Sequence, residues 1–238
     1  MPETIRLAGI RVDQVDWQEV ERYCSTTLNQ KSKNYLVTIN GEIALLANKN
    51  PDLKDAIERA GLVIPDSTNI VWCGRLKGGN FKERTPGSDL VYRLAALAAR
   101  NDYTLFLLGG KDNVAQKASD ALIRKFPGLK VVGTSNADPD DASLIAKITE
   151  LKPDILLVAY GAPKQEIWLR DNLTKLPFTL GVGVGGTFDM LAGILPRAPK
   201  IFRALSLEWL WRLIIQPSRI GRIWRAVVIF PLTALFTK

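Results

Sequence analysis

Asp66 lies just past a short apolar run, Leu62–Ile64, in the stretch Pro65-Asp66-Ser67-Thr68. The chain has no histidine. A carboxylate must therefore take the proton in any general-base step that a side chain performs. Asp66 is the leading residue for that role. An aspartate placed before a segment such as Thr68–Leu76 can also simply cap a helix. A second stretch, Gly161-Ala162-Pro163-Lys164-Gln165-Glu166, follows the apolar run Ile155–Ala159 and opens a helical pattern. Pro163 suits a first helical turn, and free N–H groups at a helix start attract anions. Lys164 adds charge, and Gln165 offers hydrogen bonds to a sugar or base. The plainer alternative is an ordinary turn with Lys164 and Glu166 in water.

Two further polar clusters follow apolar runs: Asn40-Gly41-Glu42 and Gly185-Gly186-Thr187-Phe188-Asp189. Ligands of open α/β sheets bind at the carboxyl ends of the strands, so four such clusters along one edge describe a pocket. Gly109-Gly110 is either a phosphate loop or a tight turn between strand and helix. The glycines between Gly181 and Gly186 superficially match a dinucleotide fingerprint, but they come late and no long helix clearly follows. Asp138-Pro139-Asp140-Asp141 contains a D-x-D and precedes a helical pattern. Capping is the favoured reading over cation binding there.

The elements that must position these residues alternate. Strands are expected at Tyr35–Ile39, Leu62–Ile64, Thr104–Leu108, Lys130–Val132, Ile155–Ala159 and Thr179–Val184. Helices are expected at Glu42–Ala47, Asp52–Ala60, Asp89–Arg100, Asn113–Phe126, Asp141–Leu151 and Lys164–Leu173. Ser88 is the expected cap of the third. A short strand near Ile5–Leu7 and a helix from about Trp17 to Leu28 come first. The alternation implies a mostly parallel sheet with helices on both faces.

After Gly193 the pattern changes. Residues 201–238 carry Arg203, Arg212, Arg219, Arg222, Arg225 and Lys238 against Glu208 alone, with three of the chain's six tryptophans. Basic, Trp-rich amphipathic helices favour a membrane interface. Two parts are expected: a core, 1–197, and a basic helical appendage, 198–238. No apolar run reaches the roughly 20 residues of a spanning helix, and the first residues lack a signal-peptide core. The net charge of +8 over 238 residues points to an anionic partner. Cys24 and Cys73 match no metal or redox motif and are expected reduced, as in a cytoplasmic protein.

Ordered motifs span nearly the whole chain: T-I-N-G-E at Thr38–Glu42, P-D at Pro65–Asp66, G-S-D-L at Gly87–Leu90 and L-G-G at Leu108–Gly110. They continue with K-P-D at Lys152–Asp154, G-A-P-K-Q-E at Gly161–Glu166, G-V-G-G-T-F-D at Gly183–Asp189 and A-G at Ala192–Gly193. R-A-P at Arg197–Pro199, E-W-L-W-R-L at Glu208–Leu213 and Q-P-S-R at Gln216–Arg219 complete the set. With these motifs the chain resembles the WecG/TagA/CpsF glycosyltransferases, glycosyltransferase family 26. One departure is Ser67, where the family usually has glycine.

The resemblance implies a Rossmann-like α/β enzyme. It would transfer N-acetylmannosamine or its uronic acid from UDP to a polyprenyl-diphosphate-linked N-acetylglucosamine, with inversion and without metal or cofactor. It places Thr38, Asn40, Asp66, Arg84 and Gln165 in the pocket, with Asp66 as base and Arg212, Arg219 and Arg222 reaching the diphosphate. Gly110, Lys164 and Glu166 join the expected substrate-binding set from their motifs. The implied partners are a UDP-sugar, a lipid-linked acceptor and the inner face of the cell membrane, where the protein would sit peripherally; nucleic acid is not among them. Self-association is left open. Two other readings compete. A nicotinamide-dependent oxidoreductase would need GxGxxG after the first strand, which Thr38–Glu42 is not. A non-enzymatic membrane-binding module would explain the tail but not the polar clusters.

Overall fold

The computed structural model describes residues 2–205 and 207–236. Lys238 and the side chain of Arg203 therefore lie outside the described residues. A small antiparallel hairpin opens the chain, β1 (Thr4–Leu7) and β2 (Ile10–Asp13). Its turn uses Ala8 and Gly9 at φ 50° and 75°. The next elements are α1 (Trp17–Asn29), β3 (Asn34–Ile39), α2 (Gly41–Ala47), α3 (Pro51–Arg59), β4 (Leu62–Pro65) and α4 (Thr68–Leu76). Then come α5 (Gly87–Asn101), β5 (Thr104–Gly109), α6 (Val114–Lys125), β6 (Lys130–Ser135) and α7 (Ala142–Leu151). The core closes with β7 (Ile155–Ala159), α8 (Lys164–Asn172), β8 (Leu180–Gly183) and α9 (Thr187–Leu191).

Strands β3 to β8 form one six-stranded sheet in the order β4-β3-β8-β7-β5-β6, with every pairing parallel. The expected parallel sheet is thus present. Buried strands of such a sheet read as continuous apolar runs, because side chains alternate between two covered faces. In β3, Tyr35, Val37 and Ile39 pack under α2, α3, α4, α7 and α8, while Leu36 packs under α1, α5, α6 and α9. Phe106 and Leu108 of β5 take the first face, and Leu105 and Leu107 the second.

Strand β2 was not expected. Its four residues, IRVD, carry two charges, which hide the strand pattern. Arg11 and Asp13 neutralise each other at 2.8 Å, and buried Asp13 accepts the Val63 N–H at 2.8 Å, joining the hairpin to β4. Ser88 is not a cap. Helix α5 starts at Gly87, with Pro86 before it. Asp141 does cap α7, accepting the Ser143 N–H at 2.8 Å.

The tail holds α10 (Lys200–Ala204), α11 (Glu208–Ile215), a 3-10 turn at Pro217–Arg219 and α12 (Ile220–Trp224). A π-helical turn, Arg225–Ile229, leads into α13 (Phe230–Phe236). Phe230 and Ala234 are fully buried in the same cluster as Tyr35 and Val37. A Cβ on Gly41 would meet the Phe230 ring at 2.8 Å, so glycine lets α2 and the tail approach closely. No helix of the described residues is long and apolar enough to cross a membrane.

Candidate active site

The cleft lies at the carboxyl ends of β3, β4, β7 and β8, with the tail as its far wall, and encloses about 430 Å³. That edge is where the topology opens a crevice. The chain runs from β3 outward to β4, then crosses to β5, and β7 and β8 fill the gap.

On the floor, buried Thr38 donates its hydroxyl to the Gly183 carbonyl at 3.2 Å, tying β3 to β8. Asn40 caps α2, its Oδ1 accepting from the N–H groups of Glu42 at 3.1 Å and Ile43 at 3.0 Å. Among the described residues its amide nitrogen has no hydrogen-bond partner. Asp66 continues β4, with its N–H bonded to the Ile39 carbonyl at 2.9 Å. Its Oδ1 accepts the Gly87 N–H at 2.7 Å. Asp66 therefore holds the start of α5 rather than capping α4, whose cap position is Ser67. Glycine suits position 87 because a Cβ there would crowd Thr38 at 3.0 Å. Burial pushes the Asp66 carboxyl above its ordinary value, and Glu208 adds to that; the Gly87 N–H, Arg212 and Arg84 pull the other way.

Gln165 lines the cleft, and its amide makes three hydrogen bonds within the protein. Its Oε1 accepts from the N–H groups of Gly161 at 3.1 Å and Gly185 at 3.0 Å. Its Nε2 donates to Glu166 Oε1 at 2.7 Å. One side chain thus braces the two loops that follow β7 and β8. Gly183 makes room for it, since a Cβ there would stand 2.7 Å from Nε2.

The tail brings charge. Arg84 pairs with Glu208 and Arg222 with Glu42, the latter at 2.6 Å. Arg212 and Arg219 also line the cleft, and among the described residues neither forms an ion pair with a carboxylate. Burial, and then repulsion from Arg212 and Arg222, hold the Arg219 guanidinium below its ordinary value; Glu42 and Asp189 oppose this. A crowded set of cations at a cleft wall favours an anionic ligand such as a diphosphate.

Three expected binding residues are not brought into the cleft. Gly110 forms a tight turn after β5 at φ 83°, close against Val114. Lys164 is exposed on the outside of α8. Glu166 is fully buried behind Gln165; its Oε2 has no hydrogen-bond partner, and burial raises its pKa to about 7. The aspartates before α7 sit apart from the cleft, in a loop whose Pro139 carbonyl accepts from the Trp168 indole at 3.0 Å. The glycines from 181 to 186 run into α9, only five residues long, which leaves the dinucleotide reading without its helix. Cys24 and Cys73 are unpaired and buried. Glu42 lines the cleft with its expected cluster, and Ser88, Arg197 and Glu208 line it although sequence reasoning did not select them for the site. Each sits in a quoted motif, which was the available signal.

A parallel α/β sheet with a buried carboxylate and several cations at its carboxyl edge suits a group-transfer enzyme that handles an anionic substrate. The chain matches the model of the Glycosyl transferase WecG/TagA/CpsF family over residues 5–238, and it belongs to that family of glycosyltransferases. It is similar to the N-acetylglucosaminyldiphosphoundecaprenol N-acetyl-beta-D-mannosaminyltransferase of Bacillus subtilis strain 168. The two are 32% identical over 209 residues, 87% of this chain and 80% of the relative. The protein of the same description from Staphylococcus aureus strain NCTC 8325 is 32% identical over 215 residues, 90% of this chain and 84% of the relative.

Proposed function

We propose that the chain transfers N-acetylmannosamine, or its uronic acid, from a UDP-sugar to N-acetylglucosamine carried on a polyprenyl diphosphate, in cell-surface polysaccharide synthesis. One observation carries the reading: Asp66 shares a cleft with Arg212 and Arg219, two cations that have no carboxylate partner among the described residues. In the transfer, Asp66 takes the proton of an acceptor hydroxyl. The hydroxyl oxygen bonds to the anomeric carbon as the bond to the UDP oxygen breaks on the opposite face. UDP departs with the electron pair, and configuration inverts. A positioned base contributes about 10²–10⁴ in rate. Arg212 and Arg219 offset the charge that develops on the leaving diphosphate, the task a metal performs in other transferases. Arg84 and Arg222, each tied to a carboxylate, hold the tail over the cleft.

The names of the relatives support the acceptor and the sugar. In this reading residues 1–197 carry the donor site, and the appendage, 198–238, closes it at the inner face of the membrane, where a lipid-linked acceptor resides. The test offers a panel of UDP-sugars with a polyprenyl-diphosphate N-acetylglucosamine acceptor and follows UDP release and the disaccharide product. UDP-N-acetylmannosamine or its uronic acid should be used best. Absence of transfer from any UDP-N-acetylhexosamine or its uronic acid would overturn the reading.

A further inference from the structure

Two adjacent helices, one from the core and one from the tail, present apolar side chains to the outside. On α13, buried Phe230 and Ala234 define the inner face, leaving Leu232 and Phe236 outward, with exposed Ile229 just before the helix. On α4, Ile70, Val71, Cys73 and Gly74 point inward. Trp72 and Leu76, four residues apart on one stripe, are 52% and 57% exposed. The stripe begins at Asn69, whose amide donates to the Ala226 carbonyl of the tail at 2.9 Å. The core stripe is thus continuous with the tail. The outer face of a helix covering a parallel sheet ordinarily carries charged and polar residues. Here it carries a tryptophan and a leucine.

Charge decides what covers this face. No acidic residue occurs between Ser67 and Lys82, and none after Glu208, while Arg75 and Arg225 lie in these stretches. A second copy of the chain, paired face to face, would bring like charges together. An anionic bilayer surface attracts them instead, and tryptophan favours the headgroup level. We propose that α4 of the core docks on an anionic lipid surface, inserting Trp72 and Leu76 beside Leu232 and Phe236, so that the membrane face is not confined to the tail. The inference rests on the membrane reading given under the proposed function. It also places chemistry at the surface. Helix α4 begins two residues after Asp66, so the helix that grips the lipid starts beside the base.

The full chain is tested by co-sedimentation with vesicles of phosphatidylcholine, with and without phosphatidylglycerol. Trp72→Ser/Leu76→Ser should weaken binding to the anionic vesicles about tenfold or more, consistent with loss of two partly inserted apolar side chains. Turnover of a short water-soluble acceptor should stay within about twofold, because neither residue touches the cleft. In a second measurement, brominated lipid should quench the wild-type emission more than that of Trp72→Phe. If the wild type binds and the double variant binds equally well, this inference fails and the membrane reading stands. If the wild type ignores both vesicles, both fail. If the double variant loses a dimer while lipid binding is unchanged, the face covers a second copy and the inference is wrong.

Discussion

Replacing Glu166 with glutamine should make the protein more stable in alkali and leave it nearly unchanged in acid. The carboxyl is fully buried, with one oxygen bonded to Gln165 and the other to nothing. Burial raises its pKa from 4.5 to about 7, and the Gln165 hydrogen bond offsets this only in part. A raised value in the folded state means that the unfolded chain releases the proton first. The contribution of Glu166 to stability is therefore complete below the unfolded value and is lost as pH rises to the folded one. Between pH 4.5 and about 7 the folded state loses roughly 3 kcal/mol relative to the unfolded chain, at about 1.4 kcal/mol per pH unit. Glutamine keeps the acceptor for Gln165 Nε2 and cannot ionise. Urea unfolding from pH 5 to pH 9 should show the variant's advantage growing by about 2.5 kcal/mol between pH 5 and pH 8 and then levelling. A difference that stays constant with pH would refute the argument, whatever its sign.

Phe230→Ala should lower stability by about 3–5 kcal/mol, since the ring fills the space above Gly41. A chain ending at Lys200 should accordingly melt below the full chain in calorimetry. Gln165→Ala leaves the N–H groups of Gly161 and Gly185 and the Glu166 carboxyl without their partner. Urea unfolding should show a loss of about 2–4 kcal/mol, at about 1–3 kcal/mol per unsatisfied buried group, and turnover should fall with it. Among the described residues no group of three or more His, Cys, Asp and Glu is placed to hold a metal ion. Transfer should persist in excess EDTA, and a complete loss restored by Mg²⁺ would contradict the arginine-based account.

Much of this architecture is legible from sequence because buried parallel strands are apolar on both faces. Tyr35–Ile39 and Ile155–Ala159 stand out for that reason. Strand β2 does not, since Arg11 and Asp13 cancel each other only in three dimensions. The cleft is legible as loops at strand ends, which brings Asn40, Asp66 and Gln165 to one edge. What each side chain does there is less so. Gln165 reads as a ligand contact, but two of its partners are backbone groups at positions 161 and 185, the second a different loop. Lys164 and Glu166 flank it in sequence, and helical geometry turns one to solvent and the other into the core. Arg84 and Glu208 meet across 124 positions, a pairing that no local pattern encodes. The exposed stripe of α4 is hidden for the opposite reason, because Trp72 and Leu76 look like core residues until the fold turns them outward.

The central claim is that Asp66 takes the acceptor proton. Asp66→Asn is the direct test, because asparagine Oδ1 can still accept the Gly87 N–H that fixes α5 and so preserves the cleft. Turnover with UDP-N-acetylmannosamine and a lipid-diphosphate N-acetylglucosamine acceptor should be measured beside UDP affinity on the same preparation. The account predicts a fall in kcat of about 10²-fold or more with UDP affinity within about twofold of wild type. A variant that turns over within a few-fold of wild type while binding UDP normally would remove Asp66 from the reaction.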